Sequence, residues 1–136
     1  MRRTVRKIAD YFTAATFVIV VVFAAAWFGK LGESEYGGPF RVMDGDSLVS
    51  GELRFRLEGI DAPEYRQTCR NGGADWPCGK QAAGYLRSMI NEPGAKCTGL
   101  GVDKYERILA RCTVGSRDIN ARMVEKGWAV SFGDYQ

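Results

Sequence analysis

Acidic and guanidinium side chains concentrate at three places in this sequence. These are Asp44-Gly45-Asp46, Arg56 with Asp61-Ala62-Pro63-Glu64 behind it, and Asp103-Lys104-Tyr105-Glu106-Arg107. Taken alone, each has an ordinary structural reading. The first is a turn with solvated carboxylates, the second a loop whose backbone Pro63 fixes, and the third a charged hairpin tip. Taken together they are more specific. Carboxylates gathered from separate turns repel one another, so a fold that brings them to one point normally supplies a cation. Hard oxygen ligands select Ca²⁺ or Mg²⁺. The chain contains no His, which excludes Ser-His and Cys-His catalysis and any His-ligated metal.

The elements that must position these clusters follow from local pattern. Phe40–Met43 and Ser47–Val49 are strand candidates joined by the Asp44-Gly45 turn, a strong hairpin signal. Leu53, Phe55 and Leu57 alternate with Arg54, Arg56 and Glu58, so a third strand has one apolar face and Arg56 lies on the other. Residues 66–73 read as a loop. Pro77 lies near the start of a helix that carries Ala82, Leu86, Met89 and Ile90 at helical spacing, and residues 91–94 end it. Lys96–Val102 and Ile108–Val114 are two more strands around the charged loop 103–107. Asp118 is positioned as the N-cap of a second helix bearing Ile119, Met123 and Val124, with Gly127 as its stop. Five strands and two helices in this order predict an α+β, mainly β domain built on an OB-like barrel.

The 136 residues leave room for one domain and a targeting segment. Residues 11–29 are uncharged and mostly apolar, about the length that crosses a bilayer as a helix. Arg2, Arg3, Arg6 and Lys7 precede them, so that end is expected to stay in the cytoplasm and the rest to be exported. The length favours a signal anchor in the cell membrane, with the domain on the periplasmic or extracellular side. Ala24-Ala25-Ala26 equally offers a cleavage pattern that would release a secreted or periplasmic protein. Residues 1–29 are thus read as the targeting segment, 30–39 as a polar, Gly-rich linker, and 40–136 as the folded domain. Removing the four N-terminal cations and Asp10 from the +3 net charge leaves equal acidic and basic counts. Phosphate binding must therefore come from a local cluster and not from global attraction.

Cys69, Cys78, Cys97 and Cys112 suit an oxidising compartment. Three pairings are possible. Cys69–Cys78, closing a short Gly-rich loop, and Cys97–Cys112, tying two strands, are the pairs expected. The spacings are too long for the C-x-x-C pairs of a zinc site.

The strings FRVMDGDSL, FRLEGIDAPE and DKYER occur in this order over residues 40–107, and here the chain resembles the staphylococcal nuclease family, whose core is an OB-fold. The resemblance runs to about Tyr135. The segment RQTCRNGGADWPCGKQAA and the later ARC are similar to exported bacterial members with four cysteines. The resemblance implies a Ca²⁺-dependent enzyme, with Mg²⁺ the lesser choice, that hydrolyses the phosphodiester bonds of DNA or RNA as a monomer. It implies Asp46, Asp61 and the Ala62 carbonyl as metal ligands and Glu64 as the carboxylate that positions or deprotonates the attacking water. Arg56 and Arg107 match the arginines that grip the scissile phosphate, Lys104 and Tyr105 match loop positions near bound phosphate, and Asp44 a turn residue supporting the metal loop. A guanidinium presents a planar fork of donors that fits two phosphate oxygens, which lysine cannot do.

Three features depart from the family. Glu106 stands where relatives usually have Gly. Phe132 lies near a position where relatives often place a Tyr that contacts phosphate or base, so stacking would survive but a hydroxyl contact would not. The family's third helix, which covers the barrel, is not reached before Gln136. Two other functions fit an OB-like domain of this kind: a non-catalytic module binding nucleic acid or an envelope polymer, and an accessory protein of exopolysaccharide biosynthesis.

Overall fold

The computed structural model describes residues 2–30 and 34–133, with side chains for 13–27 and 34–133. Two compact units result, divided after residue 33. The first is a single helix, α1 (Arg2–Lys30). Among the described residues no helix is long and apolar enough to cross a membrane. The expected span, residues 11–29, extends beyond the side chains described at both of its ends.

The second unit starts at Ser34, not at Phe40. Residues 34–37, expected to be linker, form strand β1 (Ser34–Gly37). It is followed by β2 (Arg41–Val42), β3 (Ser47–Ser50), β4 (Leu53–Leu57) and β5 (Ile60–Asp61), then by the hairpin β6 (Cys69–Asn71) and β7 (Ala74–Trp76). Helix α2 (Cys78–Ile90) precedes β8 (Ala95–Val102), β9 (Ile108–Val114) and β10 (Arg117–Asp118), and helix α3 (Ile119–Glu125) precedes β11 (Val130–Ser131). The five expected strands are present as β2, β3, β4, β8 and β9. The rest are short and mostly polar, and carry no readable period.

The main sheet runs β1-β8-β9-β4-β3-β2, with β10 added beside β9. Its two edge strands, β1 and β2, are consecutive in the chain and joined by residues 38–40 alone. Four Cα–Cα steps span at most about 14 Å, so the sheet must curl until its edges approach. The architecture is mixed α+β with a curled, OB-like sheet. β1 is polar, yet it is held by its antiparallel ladder to β8, by Lys96 Nζ to Glu35 at 2.8 Å, and by Tyr36 set edge-on against Phe55 at 5.1 Å.

Inside the curl lie Leu48, Phe55, Leu57, Leu86, Ile119 and Met123, each 1% exposed or less. Leu53 breaks the expected apolar face of β4 and is 46% exposed, because it sits at the turn following β3. Ala82, Leu86, Met89 and Ile90 are the buried face of α2, as their spacing predicts. The Asp118 carboxylate caps α3 by accepting from the Ala121 N–H at 3.0 Å, and Gly127, with φ +73°, ends the turn beyond it. Both expected disulfides are present. Cys97–Cys112 joins directly paired residues of β8 and β9 in the core, and Cys69–Cys78 ties the β6–β7 hairpin to the start of α2.

Candidate active site

β4 and β9 are parallel, and Arg56 is registered with Leu109. Arg107 lies two residues before Leu109 and shares its face. The parallel ladder therefore sets the two guanidinium-bearing positions diagonally across neighbouring strands, about 8 Å apart at Cα from ordinary strand spacings. Neither side chain is in the core: they are 21% and 25% exposed, and both line one groove of about 590 Å³ together with Lys104, Tyr105 and Phe132.

Asp46 enters from the turn between β2 and β3. Its carbonyl accepts the Leu57 N–H at 2.8 Å, which fixes the turn against β4. Gly45 is required there by close approach: a Cβ would lie 2.6 Å from the Ala62 Cβ and 2.9 Å from the Ala82 Cβ. Asp61 comes back from β5, whose ladder to β11 pairs it with Val130. The two carboxylates meet on one cation. Arg56 Nη1 lies 2.9 Å from Asp46 Oδ1, and Nη2 lies 2.7 Å from Asp61 Oδ1. Asp46, only 3% exposed, also accepts from Ser47 Oγ at 2.9 Å and from the Ala62 N–H at 3.0 Å. Asp44 accepts the Asp46 N–H at 3.2 Å and so braces the turn.

Electrostatics follow from this geometry. Burial pushes the Asp46 carboxyl above its ordinary range, and the Ala62 and Ser47 hydrogen bonds and the Arg56 charge only partly offset it. Burial alone would lower Arg56, but the hydrogen bond it donates to Asp61 and the charges of both aspartates outweigh it and raise it. Two carboxylates against one guanidinium leave the trio net negative, and their oxygens are hard donors, so the set suits a hard divalent cation. Among the described residues no group of three or more His, Cys, Asp or Glu is arranged to hold a metal. Arg56 itself lies between the two carboxylates, and the Ala62 group directed at Asp46 is its N–H.

The loop from β8 to β9 forms the second half of the site. Asp103, to which the sequence reading gave no role, organises it. One carboxylate oxygen accepts the backbone N–H groups of Tyr105 and Arg107 at 2.9 and 3.0 Å. The other receives Arg107 Nε at 2.8 Å and Nη2 at 2.7 Å. Burial acts to raise the Asp103 carboxyl, but these donors outweigh it and hold it below its ordinary range. The aspartate–arginine spacing of four residues around a turn was the available signal. Arg54 Nη2 donates to the Tyr105 carbonyl at 2.7 Å, and the exposed Tyr105 ring lies 5.1 Å from Lys104 Nζ and 5.3 Å from the Arg107 guanidinium carbon. Glu106 has φ +61°, the left-handed region that glycine occupies without penalty. Glu64 is exposed two residues past Ala62, and its carboxylate makes no ion pair among the described residues. Asp46, Asp61, Ala62 and Arg56 are therefore drawn together, Lys104, Tyr105 and Arg107 share a groove with Arg56, and Glu64 stands apart from both sets.

The chain is 36% identical over 96 residues to the succinoglycan biosynthesis protein ExoI of Rhizobium meliloti, covering 68% of this chain and 50% of that protein. It is 32% identical over 89 residues to the probable endonuclease LCL3 of Candida dubliniensis, covering 62% and 37% of the two chains. An uncharacterized endonuclease of Haemophilus influenzae is 27% identical over 100 residues, covering 70% and 51%. The chain thus spans about half the length, or less, of these relatives. Residues 54–136 match the family of staphylococcal nuclease homologues, and the chain belongs to that family.

Proposed function

We propose that this chain is a metal-dependent nuclease of the Ca²⁺ type that hydrolyses phosphodiester bonds of DNA or RNA outside the cytoplasm. The observation that carries the reading is the convergence of Asp46 and Asp61 on Arg56, which opens onto the same groove as Arg107. The two guanidiniums offer forked donors to the phosphate, and fixed donors aimed at charge that develops at phosphorus stabilise the transition state. Lys104 adds a positive charge at the rim, and Tyr105 and Phe132 offer rings on which bases flanking the phosphate stack. Glu64, exposed two residues past Ala62, takes the proton of the attacking water. Asp46, Asp61 and Ala62 are the residues that would hold the ion. When bound, a Ca²⁺ ion supplies Lewis-acid polarisation of a phosphoryl oxygen and orients water.

The chain acts as a monomer and is tethered by residues 11–29 or released by cleavage near Ala26. Digestion of the domain by protease added to cells with the outer envelope opened and the inner membrane intact supports export, and full protection there contradicts it. The test of function is digestion of single-stranded DNA, duplex DNA and RNA by the purified chain with Ca²⁺, Mg²⁺ or chelator. Cleavage with Ca²⁺ that stops with chelator supports the proposal, whereas retention of labelled DNA without cleavage supports a binding module. The printed name of the 36% identical relative favours a second reading, a role in exopolysaccharide biosynthesis. That reading gains if loss of the gene changes polymer yield and the Arg56→Ala variant restores it.

A further inference from the structure

Glu64 is exposed, yet its backbone is clasped on several sides. Its carbonyl accepts the Gln67 N–H at 2.8 Å, and its own N–H donates to Gln67 Oε1 at 3.2 Å. The Gln67 carbonyl in turn accepts the Gly79 N–H at 3.2 Å and touches Cys78 Sγ at 3.5 Å. Gly79 is the seat of the clasp. A Cβ built there would lie 1.8 Å from the Glu64 carbonyl oxygen and 2.7 Å from its carbonyl carbon, so the Glu64 backbone rests directly on the first turn of α2. The neighbouring Cys78 is bridged to Cys69 on β6, opposite Trp76 in the β6–β7 ladder. Trp76 meets Trp128 at 6.2 Å, and Trp128 lines a cavity of about 250 Å³ with Asp61, Ala62 and Gln67.

We propose that Gly79 and the Cys69–Cys78 bridge are positioning elements for Glu64, so that the hydrolytic step depends on the redox state of this one disulfide. The proposal rests on the reading of Glu64 as the base. The second disulfide has no such access, since Cys97 and Cys112 are both fully buried, whereas Cys69 is partly exposed. The reaction is exchange with a small dithiol. One thiolate of the reductant attacks Cys69 Sγ, and Cys78 leaves as a thiolate and is protonated. The second thiol of the reductant then displaces Cys69. The protein gains two electrons and two protons, and the reductant becomes its own disulfide.

The test uses the full chain and two independent perturbations. One is mild dithiol reduction, with alkylation and mass spectrometry to show that Cys69 and Cys78 alone react. The other is Gly79→Ala, which improves helix propensity while crowding the Glu64 backbone. In each case kcat is expected to fall about 10- to 100-fold, as displacement of a reacting group does. KM should change less than about threefold, because the arginines that hold phosphate lie elsewhere, on β4 and in the loop before β9. Reoxidation restores kcat, and in a Glu64→Gln background neither perturbation causes a further fall. Unchanged kcat in folded Gly79→Ala, or an equal loss in the Glu64→Gln background, overturns the proposal. Full activity in Glu64→Gln alone overturns instead the reading of Glu64 as the base.

Discussion

Replacing Arg56 by Met removes the one cation from a cluster that holds two carboxylates. Asp46 then keeps the Ser47 and Ala62 hydrogen bonds, but at 3% exposure it has no countercharge. At 2.9 Å and an effective dielectric of about 20, the lost attraction is about 6 kcal/mol gross. Desolvation of the Arg56 guanidinium, no longer needed, offsets part of this, and breaking a buried pair typically costs about 3–5 kcal/mol. The Asp61 arm adds little because Asp61 is 53% exposed. A loss of about 3 kcal/mol is therefore expected near pH 7, on the order of 15 °C in Tm for a domain of this size.

The pH dependence of this loss is specific. The Asp46 carboxyl is raised in the folded protein, and it rises further without Arg56. A group with a raised native value contributes stability that is fully present below its unfolded value and lost as pH rises through the native one. The penalty of Arg56→Met should therefore shrink as pH falls toward 3.8, the ordinary carboxyl value. Ca²⁺ should restore part of it at pH 7. Urea unfolding of wild type and variant at pH 4 and pH 7, with and without Ca²⁺, measures this. An equal penalty at both pH values would refute the assignment of the loss to an uncompensated Asp46.

Three further outcomes follow from other positions. Glu106→Gly removes a side chain from a φ of +61°, and after the extra unfolded-state entropy of glycine it should stabilise by about 0.5–1 kcal/mol; a lower Tm would contradict the strain. Asn120 is 5% exposed, and its amide bonds the Cys112 N–H at 3.0 Å and the Glu58 and Ala110 carbonyls at 2.9 and 3.0 Å. Asn120→Leu should cost about 3 kcal/mol in urea unfolding, because it strands buried backbone groups where β4, β9 and α3 meet. Asp103 is held below its ordinary value, so its contribution is present above the unfolded value and lost as pH falls through the native one. Asp103→Asn should flatten the acid limb of the stability profile below about pH 4 and raise KM through a loosened Arg107; a steep acid limb in the variant would contradict this.

Much of the site was legible because its residues sit beside strong local signals. The Asp44-Gly45 turn, the alternation through Phe55 and Leu57, and the charged loop 103–107 set three clusters on three strand ends, and the fold unites them through the β4–β9 ladder. What was not legible depends on tertiary contact. β1 has a linker's composition, and its backbone pairing with β8, the Lys96–Glu35 ion pair and the Tyr36–Phe55 contact hold it as a strand. β5 and β11 are two residues each, too short for a period. The β6–β7 hairpin falls partly in the expected loop 66–73, because its turn glycines and polar strands resemble one. The family resemblance implied that Asp46 and Asp61 converge, but not that Arg56 would lie between them. That depends on the Ser47–Arg56 register and the return of β5.

Single-turnover cleavage of a labelled oligonucleotide at saturating Ca²⁺, comparing wild type with Arg56→Ala and Arg107→Ala, tests the shared phosphate site most directly. Each arginine should contribute about 10²–10³ in rate, with smaller losses on removing the second because both act on one phosphate. Wild-type cleavage matched by either folded variant would contradict a site in which these two guanidiniums grip the scissile group.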